Sequence, residues 1–197
     1  MKYQNFWKRL LDIIFSIILL IFTIVPMIVI AIVIKVTTGD SPIFMQTRYG
    51  ENSIPFKLYK FRSMSEKAPI LSNQEFLDLG SYLTTVGKFL RSTSIDELPQ
   101  LINVLKGDMS FIGPRPLAKT DLQVINLRKQ SGADKVKPGI TGLAQVNGRN
   151  TLSDEDKAKY DAKYAETLSL VVDCKIFMKT IHKVIVRDGV YKKVSKE

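Results

Sequence analysis

Ile13–Ile34 reads IIFSIILLIFTIVPMIVIAIVI, 22 consecutive residues without a charge. As a straight α-helix it is about 33 Å long, enough to cross a hydrocarbon core of about 30 Å. A secretory signal peptide does not fit. The run is too long, carries Pro26 in its middle, and ends in Ile34-Lys35-Val36 with no small-residue cleavage site. The segment therefore inserts in a membrane. Both of its flanks are basic: Lys8 and Arg9 precede it, and Lys35, Arg48, Lys57 and Lys60 follow. By the positive-inside rule neither flank reads as translocated. Pro26 removes a helical hydrogen bond near the centre, and the Thr23 hydroxyl, about one turn upstream, can serve a freed carbonyl. A helix broken at Pro26 that enters and leaves on one face fits these residues, and so does an ordinary kinked span. Asp12, at the edge of the run, is one turn from Lys8 and three residues from Arg9, a spacing at which it can pair with either at headgroup level.

The rest of the chain is globular in composition. Of 197 residues, 45% are hydrophobic and 24% charged, which excludes a disordered chain. One cysteine, Cys174, excludes an internal disulfide and a cysteine zinc cluster. One histidine, His182, excludes a multi-histidine metal centre, so the chemistry falls to carboxylates, Lys, Arg, Ser or Tyr. The net charge of +10 suits nucleic acid, anionic lipid or a phosphorylated substrate. Nucleic acid is disfavoured, because neither aromatic residues interleaved with the basic ones nor a recognition helix is visible.

Downstream, Ser41–Met45 and Ile54–Tyr59 read as the two strands of a hairpin, separated by Arg48-Tyr49-Gly50-Glu51-Asn52. Residues 65–80 are polar, a loop with a short helix. Helices are expected over Thr84–Leu90 and Ile95–Leu105, and from Ser153 to Arg187. The stretches Gly107–Pro116 and Lys137–Arg149 are rich in Pro and Gly and read as stiff loops, a usual mount for functional groups. In the last helix Lys175, Lys179, Lys183 and Arg187 recur opposite a stripe of Cys174, Phe177, Met178, Ile181, Val184 and Ile185. Such a basic amphipathic helix, placed at residues 168–188, suits a membrane surface. The fold class is thus α+β: a membrane segment at residues 1–36, and a small, mostly helical domain with a short β-hairpin at residues 37–197.

Asp96 and Glu97 are the candidate chemical centre. Ser94 with Glu97 has capping-box spacing, and Pro99 is tolerated only in a first turn, so both acids are expected at a helix amino end. Two carboxylates placed only to start a helix would look the same. A helix start also offers unpaired N–H groups to phosphate oxygens and keeps a nearby aspartate ionised as a nucleophile. A divalent cation would let both acids stay charged beside a diphosphate. Arg115 between two prolines, Arg149 in a Gly-Asn loop, Arg91 one turn upstream and Lys60 at the end of the hairpin would supply a phosphate clamp.

These residues sit in long motifs: Phe56-Lys-Leu-Tyr-Lys-Phe-Arg-Ser-Met64, Arg91-Ser-Thr-Ser-Ile-Asp-Glu-Leu98, Asn103-Val-Leu-Lys-Gly-Asp-Met-Ser-Phe-Ile-Gly-Pro-Arg-Pro116 and Val136-Lys-Pro-Gly-Ile-Thr-Gly-Leu-Ala-Gln-Val-Asn-Gly-Arg-Asn150. Together with Lys8-Arg9…Asp12 and the apolar run, they resemble the bacterial sugar transferases known as monotopic phosphoglycosyl transferases, the PglC-like group, over almost the whole chain. The resemblance implies transfer of a sugar-1-phosphate from a UDP-sugar to polyprenol (undecaprenyl) phosphate with release of UMP, an early membrane step of bacterial glycan assembly. It implies Mg²⁺ and a covalent phosphosugar intermediate on the aspartate of the Asp-Glu pair. Carried over, Asp96 is the nucleophile and a Mg²⁺ ligand, and Glu97 is its acid/base or metal-positioning partner. Lys60, Arg91, Arg115 and Arg149 bind phosphates, with Gln145 nearby. The resemblance further implies a re-entrant helix–break–helix at Pro26, held at the cytoplasmic face of the bacterial inner membrane. The break is commonly Ser-Pro in that group and is Val25-Pro26 here, with Thr23 one turn away. In 197 residues there is no room for the extra membrane helices of larger relatives. Membrane lipid is an implied partner. Downstream glycosyltransferases and a homodimer stay open, as do the donor sugar and an inactive scaffold that kept the motifs.

Overall fold

The structure is a computed structural model that describes residues 3–66, 68, 82–148 and 151–186. Arg149, most of the polar stretch at 65–80 and the last residues of the expected C-terminal helix lie outside the described residues.

A wide π-helical turn, Tyr3–Trp7, leads into α1, Lys8–Thr38. At 31 residues α1 is about 46 Å long. Its helical hydrogen bonding runs on past Pro26, so the expected break is not an interruption of secondary structure. The Thr23 hydroxyl donates to the Leu19 carbonyl at 2.7 Å, not to Phe22, the carbonyl four residues before Pro26. Most of the helix surface is apolar and open, with Phe22 75% and Val25 66% exposed. An apolar helix of this length left uncovered suits lipid rather than water.

The hairpin forms as the sequence suggests and is longer than expected. Strands β1, Ile43–Tyr49, and β2, Pro55–Phe61, pair antiparallel in register, with Phe44 opposite Lys60, Gln46 opposite Leu58 and Arg48 opposite Phe56. Helix α2, Thr85–Ser92, starts at Thr84, whose hydroxyl accepts from the Gly87 N–H. The single helix expected from Ile95 is two pieces, a 3₁₀ turn at Ile95–Glu97 and α3, Gln100–Lys106. Pro99 sits at the junction, where a proline lacking an N–H does least harm.

Both Pro/Gly-rich stretches contain more structure than loops. β3, Ser110–Ile112, pairs in parallel with β4, Gly139–Thr141, and α5, Leu143–Asn147, follows directly. Between them lies α4, Leu122–Ser131, which the apolar pattern does not announce. The C-terminal part is α6, Asp154–Thr167, and α7, Leu170–Val186. Ser153 caps α6 by accepting from the Asp156 N–H, and Asp154, Glu155 and Asp156 complement its positive end. On α7 the predicted apolar stripe is open, with Phe177, Met178, Ile181 and Val184 exposed, while Ile176 and Asp173 face inward.

Several small cores hold these pieces together. Ile112, Val136, Val146, Tyr164 and Ile176 join the parallel strands to α6 and α7. Met27 and Ile34 of α1 pack with Phe61 and Leu90 of the hairpin and α2. The start of α1 is held by polar contacts instead. Lys8 Nζ donates to Asp173 Oδ2 at 2.7 Å, and Tyr3 donates to the same oxygen. Tyr164 donates to Asp173 Oδ1. Arg9 donates to the Val104 and Leu105 carbonyls, so its charge meets the negative end of α3. Asp12 takes neither Lys8 nor Arg9 as its partner, the pairing its spacing allows. It accepts from the Ser110 hydroxyl and the Phe111 N–H, and Lys8 and Asp12 are buried against the domain.

The Asn103–Ser110 motif therefore has a structural job. Asn103 accepts from the Tyr59 N–H and donates to the Lys57 carbonyl and to Asp108, docking α3 on β2. Gly107 ends α3 at φ +94, a conformation that side chains with a Cβ rarely adopt, and it lies against the Arg9 guanidinium.

Candidate active site

Asp96 and Glu97 sit in the 3₁₀ turn between α2 and α3, as acids just ahead of a helix, but the expected capping box is absent. Ser94 is left-handed at φ +57, and its side chain makes no cap. Two N–H groups of the turn are already used, Glu97 donating to the Ser94 carbonyl and Leu98 to that of Ile95. The acids are thus served by side chains from other elements rather than by an open helix end.

Lys60, at the α2-facing end of β2, donates to Glu97 Oε1 at 2.7 Å. Arg115 Nη1 lies 4.0 Å from the same oxygen. Asp96 is 8% exposed, and burial holds its carboxyl above the usual carboxylate range. The Lys60 charge opposes that rise, Glu97 adds to it, and Arg91 and Arg115 oppose it further. Lys60 is itself pushed below the ordinary lysine value by burial and held up by Glu97. Lys60, Glu97 and Arg115 thus meet beside Asp96, and the Arg91 charge acts on the same carboxyl.

The backbone around Arg115 is tied to three elements. The Gly139 N–H donates to the Pro114 carbonyl, Arg128 Nη1 to that of Arg115, and the Tyr49 N–H to that of Leu117, each at 2.8 Å. Arg128 is anchored in turn by Asp161, at 2.6 Å from Nη2 and 2.8 Å from Nε. Sequence reasoning missed Arg128, because nothing local distinguishes it from a solvated arginine of an exposed helix.

Gln145, on α5, has both its amide nitrogen and its amide oxygen buried without a hydrogen-bond partner among the described residues. An unmatched buried amide costs about 1–3 kcal/mol, so such a group is normally kept for a ligand or a water. It lies at the crossing of Gly142 and Gly113, where a Cβ on Gly142 would stand 2.0 Å from the Gly113 carbonyl oxygen and 2.6 Å from Gln145 Oε1. Gly113 is two residues from Arg115, which puts the open amide beside the arginine loop.

The profile of the bacterial sugar transferase family matches residues 3–187. The chain belongs to that family. It is 43% identical over 183 residues to the sugar transferase EpsL of Bacillus subtilis (strain 168), covering 93% of this chain and 89% of that one. It is 41% identical to the UDP-glucose:undecaprenyl-phosphate glucose-1-phosphate transferase of Klebsiella pneumoniae, over 94% of this chain and 41% of the relative. Against the undecaprenyl-phosphate galactose phosphotransferase of Salmonella typhimurium the identity is 38%, over 95% of this chain and 42% of the relative. This bacterial sugar transferase thus spans about nine-tenths of the short relative and about two-fifths of the two long ones.

Proposed function

We propose that this sugar transferase moves a sugar-1-phosphate from a UDP-sugar onto polyprenol phosphate and releases UMP. The observation that carries the reading is the buried Asp96 beside the Lys60–Glu97–Arg115 cluster. Asp96 attacks the sugar-side phosphorus. A bond forms from its carboxylate oxygen to phosphorus, the phosphoanhydride bond breaks, and the electron pair leaves with UMP. A phosphate oxygen of the lipid then attacks the same phosphorus and the Asp96 carboxylate departs, giving the polyprenol diphosphosugar. Burial makes the Asp96 carboxylate less stable than in water and so more ready to attack. Glu97 holds Lys60 in place, and Lys60, Arg91 and Arg115 offset charge on the phosphates. Gln145 offers one donor and one acceptor to the substrate.

The donor set fits Mg²⁺. Asp96 and Glu97 present hard carboxylate oxygens, and among the described residues no group of three Asp, Glu, His or Cys side chains forms a cage. Mg²⁺ usually takes one or two carboxylates with the substrate's phosphates. Asp96 and Glu97 would hold the ion, and it would neutralise diphosphate charge.

The same domain holds both ends of α1, Asp12 through β3 and Ile34 through β2 and α2. Those residues are about 33 Å apart along a helix, close to the thickness of a hydrocarbon core. A span would place one of the two contacts across the bilayer. This supports a re-entrant α1 with both ends at the cytoplasmic face of the inner membrane, residues 37–197 forming the catalytic domain on that side, and the open stripe of α7 resting on lipid.

The test is UMP release in nanodiscs with UDP-glucose, UDP-galactose and other UDP-sugars, undecaprenyl phosphate and Mg²⁺, wild type beside Asp96→Asn. Release by wild type alone, with phosphosugar trapped on Asp96, is the expected result. Asp96→Asn activity within a few-fold of wild type would end the covalent mechanism.

A further inference from the structure

Arg48 is the cation this chemistry has left over. Its side chain, on β1, is 12% exposed. Nη2 donates to Gln46 Oε1 at 2.6 Å, two residues back on the same strand face. Nε is buried and has no hydrogen-bond partner among the described residues. Among the described residues its acidic neighbour is Asp121, 3.9 Å from Nη1, whose Oδ2 already accepts from the Ala118 N–H. Burial first, and then the like charge of Arg115, push the Arg48 guanidinium down to about 10, with Asp121 opposing. The backbone bond from the Tyr49 N–H to the Leu117 carbonyl sets Arg48 and Arg115 on adjoining segments, and of the acids near them among the described residues, Glu97 is held at 2.7 Å by Lys60. Buried cations in that arrangement want an anion between them.

The strand register says where that anion sits. Lys60 opposes Phe44 and Arg48 opposes Phe56, so Lys60, Gln46 and Arg48 share one face of the hairpin. Arg115 Nη1 lies 4.0 Å from Glu97 at the Lys60 end, and toward the other end the Tyr49 N–H donates to the Leu117 carbonyl at 2.8 Å, which ties the chain beside Arg48 to the loop that carries Arg115 and sets a line of cations leading away from Asp96. The line also leads away from the membrane. Ile43 packs in the cluster with Met27 and Ile34 of α1, and Arg48 is five residues farther, about 17 Å along an extended strand. A lipid phosphate arrives from the α1 side, whereas a water-soluble nucleotide approaches from the other.

Resting on the reaction proposed above, we propose that Arg48 and Arg115 together form the subsite for the nucleoside-side phosphate, the one that departs in UMP. When the phosphoanhydride bond breaks, the electron pair and the new negative charge go to the oxygen of that phosphate. A guanidinium with an unused N–H offers a charge-assisted hydrogen bond there. Gln46 holds the fork in orientation, so Arg48 contacts the leaving group and Gln46 positions it.

The experiment uses the full chain in nanodiscs, wild type beside Arg48→Met and Arg48→Lys. The readouts are KM for the UDP-sugar, KM for undecaprenyl phosphate, inhibition by UMP and by uridine, and the thermal midpoint. In Arg48→Met, KM for the UDP-sugar and the inhibition constant for UMP should rise about tenfold or more, as for a lost charge-assisted hydrogen bond. Uridine inhibition and the KM for the lipid should stay within about twofold by the same arithmetic. Arg48→Lys, which keeps the charge and loses the fork, should fall between the two and serves as the variant to read if Arg48→Met does not fold. Unchanged UMP inhibition overturns the assignment, and so does equal weakening of UMP and uridine, which a distorted fold would give. A loss confined to the lipid KM overturns it in favour of the acceptor phosphate. Wild type active with an unaffected variant rejects the subsite alone, while a wild type that releases no UMP from any donor rejects the reaction and the subsite together.

Discussion

Lys60 Nζ donates to Glu97 Oε1 across 2.7 Å, so the acid that follows the buried Asp96 is neutralised by a strand far from it in sequence. The two partners act on Asp96 with opposite sign, Lys60 lowering its pKa and Glu97 raising it.

That opposition predicts a pH profile. The nucleophile is the carboxylate, so activity is lost as pH falls through the raised pKa of Asp96. Lys60→Met removes the downward pull and should move the acid limb of kcat/KM to higher pH. Glu97→Gln removes the upward push and should move it to lower pH, whatever happens to the plateau. The limb belongs to a coupled pair of acids, so the direction of movement is the readout. Both variants moving the limb the same way would show that these charges do not govern the nucleophile.

The same burial predicts a stability cost. Folding raises the pKa of Asp96, so the native state holds its proton more tightly than the unfolded chain, and stability from this group falls as pH rises through the raised pKa. Asp96→Asn keeps the shape and removes the buried charge. Its thermal midpoint should exceed that of wild type at pH 8, and the difference should shrink toward pH 5. A midpoint below wild type at pH 8 would mean that the Asp96 carboxylate stabilises the fold through Lys60 and the arginines.

Arg128 and Asp161 form a buried pair, with side chains 9% and 1% exposed. Removing one partner from such a pair leaves a buried charge and costs about 3–5 kcal/mol, whereas replacing both by apolar residues can be neutral. Asp161→Asn should therefore lower stability sharply, and Arg128→Met with Asp161→Leu should restore most of it. The double variant still lacks the donor to the Arg115 carbonyl. Its kcat/KM should stay low while its midpoint recovers. Recovery of both together would show that Arg128 does not position Arg115.

What the sequence could show of this divides along physical lines. The hairpin, α2 and α6 are legible because each buries one face of a regular element, whereas the stripe that marks α7 is the face the domain leaves open. β3 and β4 are three residues each, too short for a period, and their pairing spans about 30 residues of chain. Ser94 misled as a cap because its backbone turns left-handed to bring Asp96 and Glu97 toward β2. Asp96, Glu97, Lys60 and Arg115 were legible from their motifs. Arg48 was not legible as a site residue, because its meaning depends on the hairpin register and on Arg115, neither of which is local.

The last prediction concerns α1. Its start is tied to the domain through Lys8, Arg9 and Asp12, and its end through Met27 and Ile34. Breaking either set would expose buried charge or apolar surface, so both ends should stay with the domain and on its side of the membrane. Single cysteines replacing Gln4 and Ser41 flank the helix, in a Cys174→Ser background because the native thiol is exposed. Neither should react with an impermeant maleimide added to intact cells, and both should react once the membrane is opened. A kinked span would label one of the two from outside, which would reject re-entrance and require that one set of contacts release when α1 enters lipid.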